Sequence, residues 1–354
     1  MTVESNKLRG KQSICFENPP VIQSAASIAG KMEGEGPLGS YFDVVELDPM
    51  FGQTCWEEAE SKMMGMAVDT AIYKSGLTKK DIRYIVGGDL LGQLIATSFG
   101  IENFDIPLIG VYGACSTMGE SMAVASMLVE GGFADHAIAI TSSHFAGAEK
   151  QFRFPLAYGN QRPLAATWTV TGSGAVVIGH DVKKNSVFGK DFLPVEIRIK
   201  GVTIGKITDF GLKDSLNMGA CMAPAACSTI SQHFKDFARQ PGYYDRIITG
   251  DLGMVGRDIL IDLLKDEGYD ITSNYMDCGI EIYDPEVQDT HSGGSGCGCS
   301  AITLCGYILQ KMRKKQWNRV LFVPTGALLS TVSYNEGQSV PGIAHAVILE
   351  TSEV

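Results

Sequence analysis

The chain has 354 residues, of which 45% are hydrophobic and 19% charged, and this balance excludes a largely disordered protein. Asp and Glu outnumber Lys and Arg by 40 to 29, and the resulting net charge of −11 disfavours nucleic acid as a partner. The nine cysteines are spread along the chain and its start is polar, which predicts a soluble protein with free thiols and no metal site.

Short apolar runs alternate with segments of helical period, which is typical of an α/β protein with buried sheets. In chain order, the first half is predicted to have strands at residues 21–29, 82–86, 106–111, 137–141 and 170–179, and helices at residues 57–74 and 117–130. The second half is predicted to have strands at residues 195–204, 246–249, 320–324 and 343–350, and helices at residues 224–238, 256–267 and 299–314. The two halves, residues 1–182 and 183–354, are separated by a polar linker predicted at residues 181–186.

Two sequence matches indicate that the second half repeats the first. Residues 84–90 match residues 246–252 at an offset of 162, and Cys115 matches Cys299 at an offset of 184. The second match also equates Ile138 with Phe322. The two offsets differ by 22, which predicts one insertion in the second half at residues 268–289.

Cys115 is the first candidate for chemistry, because it stands where a predicted strand meets the predicted helix at residues 117–130. The free N–H groups and the positive dipole end of a helix lower the pKa of a nearby thiol, as nucleophilic cysteines require. The same position also suits a small buried thiol that only packs beneath the helix. The local sequence leaves both interpretations open.

Duplicated strand–helix halves of this size, each with a cysteine at the start of a buried helix, resemble the thiolase-like condensing enzymes. The resemblance covers almost the whole chain and implies a five-layer α-β-α-β-α sandwich of two similar halves, with Cys115 at the acyl-carrying position. Those enzymes also place a His after a second-half strand and an Asn or His in a later Gly-rich loop. Here the strand is followed by Gly250 and Asp251, and the loop at residues 292–299 contains neither Asn nor His.

Longer stretches narrow the resemblance to the stage V sporulation protein AD family, which is thiolase-like and lacks the full catalytic set. These stretches are residues 111–118, 142–145, 148–155, 168–175 and 284–299. The resemblance implies a pseudoenzyme without a cofactor that binds pyridine-2,6-dicarboxylic acid (dipicolinic acid, DPA), with or without Ca²⁺. It also implies a homodimer in the developing spore, peripheral to the inner spore membrane through the membrane subunits of the SpoVA apparatus.

The candidate DPA pocket combines residues of both halves. Because DPA is flat and dianionic, we expect backbone N–H groups at the helix starts, near Cys115 and Cys299, to bind its carboxylates. Arg153 and Arg162 are candidate charge partners, and each can instead be an ordinary solvated charge. The candidate ligand-binding residues, including His donors and a Trp that could stack on the ring, are Cys115, His144, Trp168, Asp251, His291, Ser295, Gly296 and Cys297.

Two alternatives stay open beside this hypothesis. The first is a thiolase-like or ketoacyl-synthase-like acyltransferase that uses Cys115 as nucleophile and His291 as an unusual base. The second is a purely structural scaffold, which predicts no saturable binding of any small ligand.

Overall fold

The computed structural model describes residues 7–153, 162–181 and 195–353, so the predicted linker after residue 181 and the predicted boundary at residues 182–183 lie outside the described residues. The strands are β1 (Leu8–Arg9), β2 (Ser13–Cys15), β3 (Val21–Ala29), β4 (Val44–Val45), β5 (Tyr84–Gly88), β6 (Leu108–Gly110), β7 (His136–Ser143), β8 (Trp168–Thr169), β9 (Gly172–Gly179), β10 (Val195–Thr203), β11 (Arg246–Thr249), β12 (Tyr275–Asp277), β13 (Gly294–Ser295), β14 (Arg319–Val323), β15 (Thr325–Ala327), β16 (Gly342–Ala344) and β17 (Ala346–Glu353). The α-helices are α1 (Lys31–Gly34), α2 (Trp56–Ser75), α3 (Ile95–Ile101), α4 (Thr117–Glu130), α5 (Phe145–Phe152), α6 (Met218–Phe237), α7 (Gly253–Asp266), α8 (Cys278–Ile282), α9 (Pro285–Gln288), α10 (Cys297–Ile302), α11 (Leu309–Arg313) and α12 (Thr331–Asn335).

One path of hydrogen-bonded strands crosses the molecule in the order β12-β11-β14-β17-β10-β3-β9-β7-β5-β6. A single residue pair, Arg198 with Val21, joins β10 to β3, so the path divides into two parts of five strands. In each part three parallel strands lie at the outer side, and the next strand inward is antiparallel to both of its neighbours. The two halves therefore share one topology.

Successive side chains of a strand point to opposite faces of the sheet, so each part of the sheet has helices packed against both of its faces. One inner helix layer lies between the two parts of the sheet, and one outer helix layer covers each part. In β7, Ile138 packs with residues of α2 and α3, whereas Ala139 packs with residues of α4 and α10. In β14, Leu321 packs with residues of α6 and α7, whereas Phe322 again joins the cluster around α4 and α10. Helices and sheet parts thus form the five layers that were predicted.

The register of the sheet corrects the predicted match between the strands of the two halves. Ile85 pairs with Ile138, and Ile247 pairs with Leu321 at the corresponding place in the second half. Ile138 is therefore equivalent to Leu321 and not to Phe322, and the two equivalent side chains both face an outer helix layer.

The cysteine match is corrected for a related reason. A π-helical segment, Thr303–Ile308, follows α10 and adds one residue to the central helix of the second half. For residues that precede this segment, the equivalent positions of the two halves therefore shift by one, and Cys115 is equivalent to Cys297. The backbone agrees, because each of these cysteines follows a residue of positive φ: Ala114 has a φ of 50° and Gly296 has a φ of 98°. The short helices α8 and α9 lie within the predicted insertion at residues 268–289.

Most predicted elements have bounds that differ by a few residues from those in the structure, and two differ more. The helix predicted at residues 224–238 begins at Met218, where the Asn217 side chain accepts a hydrogen bond from the Ala220 N–H at 3.3 Å, and Pro224 lies inside the helix. The predicted closing strand is interrupted at His345 between β16 and β17.

Within the described ranges, no helix combines the length and apolar character needed to span a bilayer.

Candidate functional site

The chain makes a tight turn between β6 and α4, and Cys115 lies in this turn with 6% of its surface exposed. Ala114 has a φ of 50°, which is uncommon for a residue other than glycine. The Ala114 carbonyl accepts a hydrogen bond from the Thr117 hydroxyl at 2.6 Å and from the Cys297 thiol at 3.0 Å. The second of these bonds connects the turn to the equivalent cysteine of the other half.

A pocket with about 490 Å³ of empty space, part of it open to solvent, lies beside Cys115. Its apolar wall includes Ala148 and Phe152 of α5 and, from the second half, Met218 and Leu329. Both halves therefore contribute to one concave site, as the duplicated fold leads one to expect.

Asp251 follows β11 and lies against Cys115. It is 1% exposed, and its carboxylate accepts hydrogen bonds from the Gly296 N–H at 3.1 Å and from the Thr325 hydroxyl at 2.7 Å. The Cys115 thiol lies near this carboxylate, and each of the two groups contributes to the pKa shift of the other. Burial raises the pKa of Asp251 to about 7.

The same surroundings raise the pKa of Cys115 well above its usual value, first through burial and then through the negative charge of Asp251. The predicted lowering of the Cys115 pKa is therefore wrong. The start of α4 supplies a favourable dipole, but desolvation and a neighbouring acid oppose the thiolate more strongly.

We expect alkylation of Cys115 to respond to the charge of Asp251. The variant Asp251→Asn removes this charge and keeps a side chain of the same size, so the pKa of Cys115 should fall and its reaction with iodoacetamide at pH 8 should accelerate by about tenfold. Peptide mass spectrometry over time measures the modification, with the more exposed Cys55 as an internal reference. Equal Cys115 rates in both proteins would show that the two groups are not coupled.

The Gly-rich loop brings three more predicted residues to the site. Ser295 and Gly296 line the pocket, and Cys297 packs with Cys115 in one apolar cluster. Gly296 has a φ of 98°, and a Cβ at this position would lie 2.8 Å from the Ser143 hydroxyl. Glycine is therefore required here by both the backbone conformation and the space.

His144 and His291 do not line the pocket. The His144 Nδ1 accepts a hydrogen bond from the Ala146 N–H at 3.2 Å, and its Nε2 donates to the Pro49 carbonyl at 2.8 Å. Burial lowers the pKa of His144, and its ring caps the start of α5. The His291 Nε2 lies 3.1 Å from the Asp289 carboxylate, and the Pro163 carbonyl lies 3.0 Å from its Nδ1.

Trp168 is also placed differently from the prediction. Its ring stacks on Phe145 with the centroids 4.0 Å apart, and the Arg162 guanidinium lies 5.0 Å from the Trp168 centroid. The ring does not line the pocket, so its predicted role as a stacking partner for the ligand is not supported.

Three backbone N–H groups near the two helix starts are engaged within the protein. The Gly298 N–H donates to the Ser143 hydroxyl at 2.9 Å, the Gly296 N–H donates to Asp251, and the Thr117 N–H donates to the Ala114 carbonyl at 3.1 Å.

The pocket wall contains a charged pair, Glu149 and Arg153, which lie one turn apart on α5 with the Arg153 Nη1 2.5 Å from the Glu149 Oε1. Burial raises the pKa of Glu149 although both Arg153 and Arg162 act in the opposite direction. The sequence indicated Arg153 as a candidate and gave no role to Glu149, although the four-residue spacing is the usual one for such ion pairs.

No group of three or more His, Cys, Asp or Glu side chains among the described residues is arranged to bind a metal ion.

Comparisons with known proteins agree with the fold and identify relatives. The family described as stage V sporulation protein AD matches residues 10–350. The stage V sporulation protein AD of Bacillus subtilis (strain 168) is 46% identical over 344 residues, which are 97% of this chain and 98% of that protein.

Solved structures of other proteins share the fold at low sequence identity. Cerulenin-bound OleA of Xanthomonas campestris has a TM-score of 0.57 at 15% identity and covers 95% of this chain and 97% of its own. The 3-oxoacyl-(acyl carrier protein) synthase III of Pseudomonas aeruginosa PAO1 has a TM-score of 0.55 at 11% identity and covers 94% of this chain and 98% of its own. The predicted thiolase-like fold is thereby confirmed.

Proposed function

The chain belongs to the stage V sporulation protein AD family, and we propose that its role in sporulation is to bind DPA in the Cys115 pocket without catalysing a reaction. In this proposal it acts in the developing spore, where the membrane subunits of the SpoVA apparatus hold it at the inner membrane.

The contact between Cys115 and Asp251 is the observation that carries the non-catalytic part of the proposal. Acyl transfer through a cysteine needs a thiolate and a base that takes its proton. At this site, ionisation of Cys115 would place a second negative charge beside a buried carboxylate. Among the described residues no histidine lines the pocket to supply a positive charge or a base.

The pocket also suits a small planar anion. Ala148, Phe152 and Met218 offer apolar surface to the faces of a ring, and Arg153 offers a cation at the wall. Because the pKa of Asp251 is already about 7, this carboxyl group can take up a proton when an anion binds next to it. Where Ca²⁺ takes part, we propose that it arrives as the complex with DPA.

Titration calorimetry of the full chain with DPA tests binding, and mass spectrometry after incubation with an acyl-CoA tests chemistry. We expect saturable binding of one DPA per chain and no acyl adduct on Cys115. An adduct with release of free CoA would favour the acyltransferase alternative, which the position of Cys115 at the start of α4 supports. The absence of any DPA binding would contradict the proposal and favour a scaffold.

We also propose that the chain is a homodimer formed through β6. This strand is the last in its part of the sheet, so its outer backbone groups have no strand partner in the described chain, and Leu108 is 38% exposed. Antiparallel pairing of β6 with its copy would continue the sheet. Thiolase-like proteins commonly dimerise through a first-half strand, which supports this choice.

The variant Leu108→Lys places two like charges across such an interface and should convert a dimer into a monomer. Leu47→Lys is the matched control, since Leu47 is 68% exposed and lies outside β6. Analytical ultracentrifugation distinguishes the two masses. A monomeric wild-type protein, or a dimer that Leu108→Lys leaves intact, would count against the β6 interface.

A further inference from the structure

The segment that connects β10 to α6 carries an exposed apolar patch, and we call its residues 205–214 the rim loop. Three large apolar side chains are exposed within six residues of this loop, those of Ile207, Phe210 and Leu212. Ile207 is 66% exposed and Phe210 is 67% exposed. Single exposed apolar residues are ordinary on a protein surface, whereas a group of them marks a contact site. The rim loop therefore has the composition of an interaction surface.

Hydrogen bonds at both ends hold the rim loop in one conformation. The Thr208 N–H donates to the Gly342 carbonyl at 2.9 Å, and the Gly342 N–H donates to the Thr208 carbonyl at 2.8 Å. The Val340 N–H donates to the Leu212 carbonyl at 2.8 Å. Between these anchors, a Cβ at Gly211 would meet no atom within 4 Å, so the tip projects into solvent. A convex tip that is already ordered pays little conformational entropy when it binds.

The charges of the rim loop are arranged with the cations outward. Lys206 and Lys213 flank the apolar residues, are exposed, and form no ion pair with a described residue. Asp209 and Asp214 instead each accept a hydrogen bond from a backbone N–H of their own turn, at 2.8 and 3.0 Å. The two ammonium groups therefore remain available to anionic groups outside the chain.

The rim loop borders the candidate site. It leads directly into Ser215, which lines the Cys115 pocket together with Met218 at the start of α6. Whatever binds the rim loop therefore lies beside the pocket.

We infer that the rim loop docks on the surface of an anionic lipid bilayer. Ile207 and Phe210 enter the boundary between headgroups and acyl chains, and Lys206 and Lys213 contact lipid phosphates. A projecting tip suits a bilayer, because lipids rearrange around it, whereas a protein partner would need a groove of matching shape. Such direct lipid contact goes beyond the proposed function, in which membrane subunits hold the protein at the membrane, and it does not depend on DPA binding.

Co-sedimentation of the full chain with vesicles of phosphatidylglycerol and phosphatidylethanolamine tests the inference. The double variant Ile207→Ser/Phe210→Ser should weaken vesicle binding by about tenfold or more, because two apolar side chains would no longer enter the bilayer. Leu47→Ser/Tyr73→Ser is the matched control, since both residues are at least as exposed and lie outside the rim loop. The control should change vesicle binding by less than about twofold. None of the four residues lines the pocket, so DPA binding should be unchanged in both variants.

Lys206→Gln/Lys213→Gln keeps the apolar side chains and removes both cations. It should weaken binding to these vesicles by about tenfold and leave binding to pure phosphatidylcholine vesicles unchanged. A wild-type chain that does not bind vesicles, or an Ile207→Ser/Phe210→Ser protein that binds them like wild type, would overturn the inference and favour a protein partner. Vesicle binding that the lysine variant leaves unchanged would overturn the contact with lipid phosphates. Failure of wild-type protein to bind DPA would contradict only the proposed function.

Discussion

Replacing Arg153 with glutamine should weaken DPA binding by about a hundredfold, which corresponds to about 3 kcal/mol of binding free energy. Arg153 is the cation that lines the pocket, and its removal takes away a charge-assisted hydrogen bond to the ligand. It also leaves Glu149 without its ion-pair partner, 2.5 Å away in the native protein, so the ligand would meet an uncompensated carboxylate.

Lys150→Gln is the control for this variant. Lys150 is the neighbour of Glu149 on α5, carries the same charge as Arg153, and pairs with Glu57 at 2.6 Å outside the pocket. Its replacement should change the dissociation constant of DPA by less than about twofold, because the charge is exposed and screened. Similar losses in both variants would point to a general effect of net charge, and no loss in Arg153→Gln would remove Arg153 from the site.

The variant Gly326→Ala should lower the free energy of unfolding by about 3 kcal/mol and should also weaken DPA binding, because the second half would no longer close against the Cys115 turn. A Cβ at Gly326, in β15, would lie 2.1 Å from the Gly113 carbonyl oxygen and 3.1 Å from the Ser116 nitrogen. Both atoms belong to the backbone of the turn, so β15 and the turn must move apart to admit a methyl group.

Guanidinium denaturation measures the loss of stability, and Gly242→Ala serves as the control, since a Cβ there would meet no atom within 4 Å. We expect the control to change the free energy of unfolding by less than about 1 kcal/mol. A Gly326→Ala protein as stable as the control would contradict the close approach of β15 to the Cys115 turn.

The order of strands and helices was readable from the sequence because each depends on a local period. The helix at residues 117–130 and the strands at residues 21–29 and 246–249 agree with the structure to the residue. The exact match between halves was not readable, since the repeated glycine and cysteine at residues 296–299 align with Cys115 in two ways. The π-helical segment that decides between them has no signal in the hydrophobic pattern.

The site could be predicted only where the prediction depended on position along a strand or helix. Cys115 and Asp251 each follow a strand, and the fold brings them together. The direction of a side chain could not be predicted in the same way. His144 also lies at the end of a strand, yet its ring caps the start of the following helix, α5, and does not line the pocket. The pKa of Cys115 depends on burial and on an acid far away in sequence, so a local rule for helix starts gave the wrong sign.

The co-crystal structure of the protein with DPA is the most direct test of the proposed pocket. We expect electron density for one planar ring between α5 and the Gly-rich loop, with one carboxylate at Arg153 and no bond between the ligand and the Cys115 sulfur. Density for DPA only at another surface, or an empty Cys115 pocket in crystals grown with saturating DPA, would contradict the proposal.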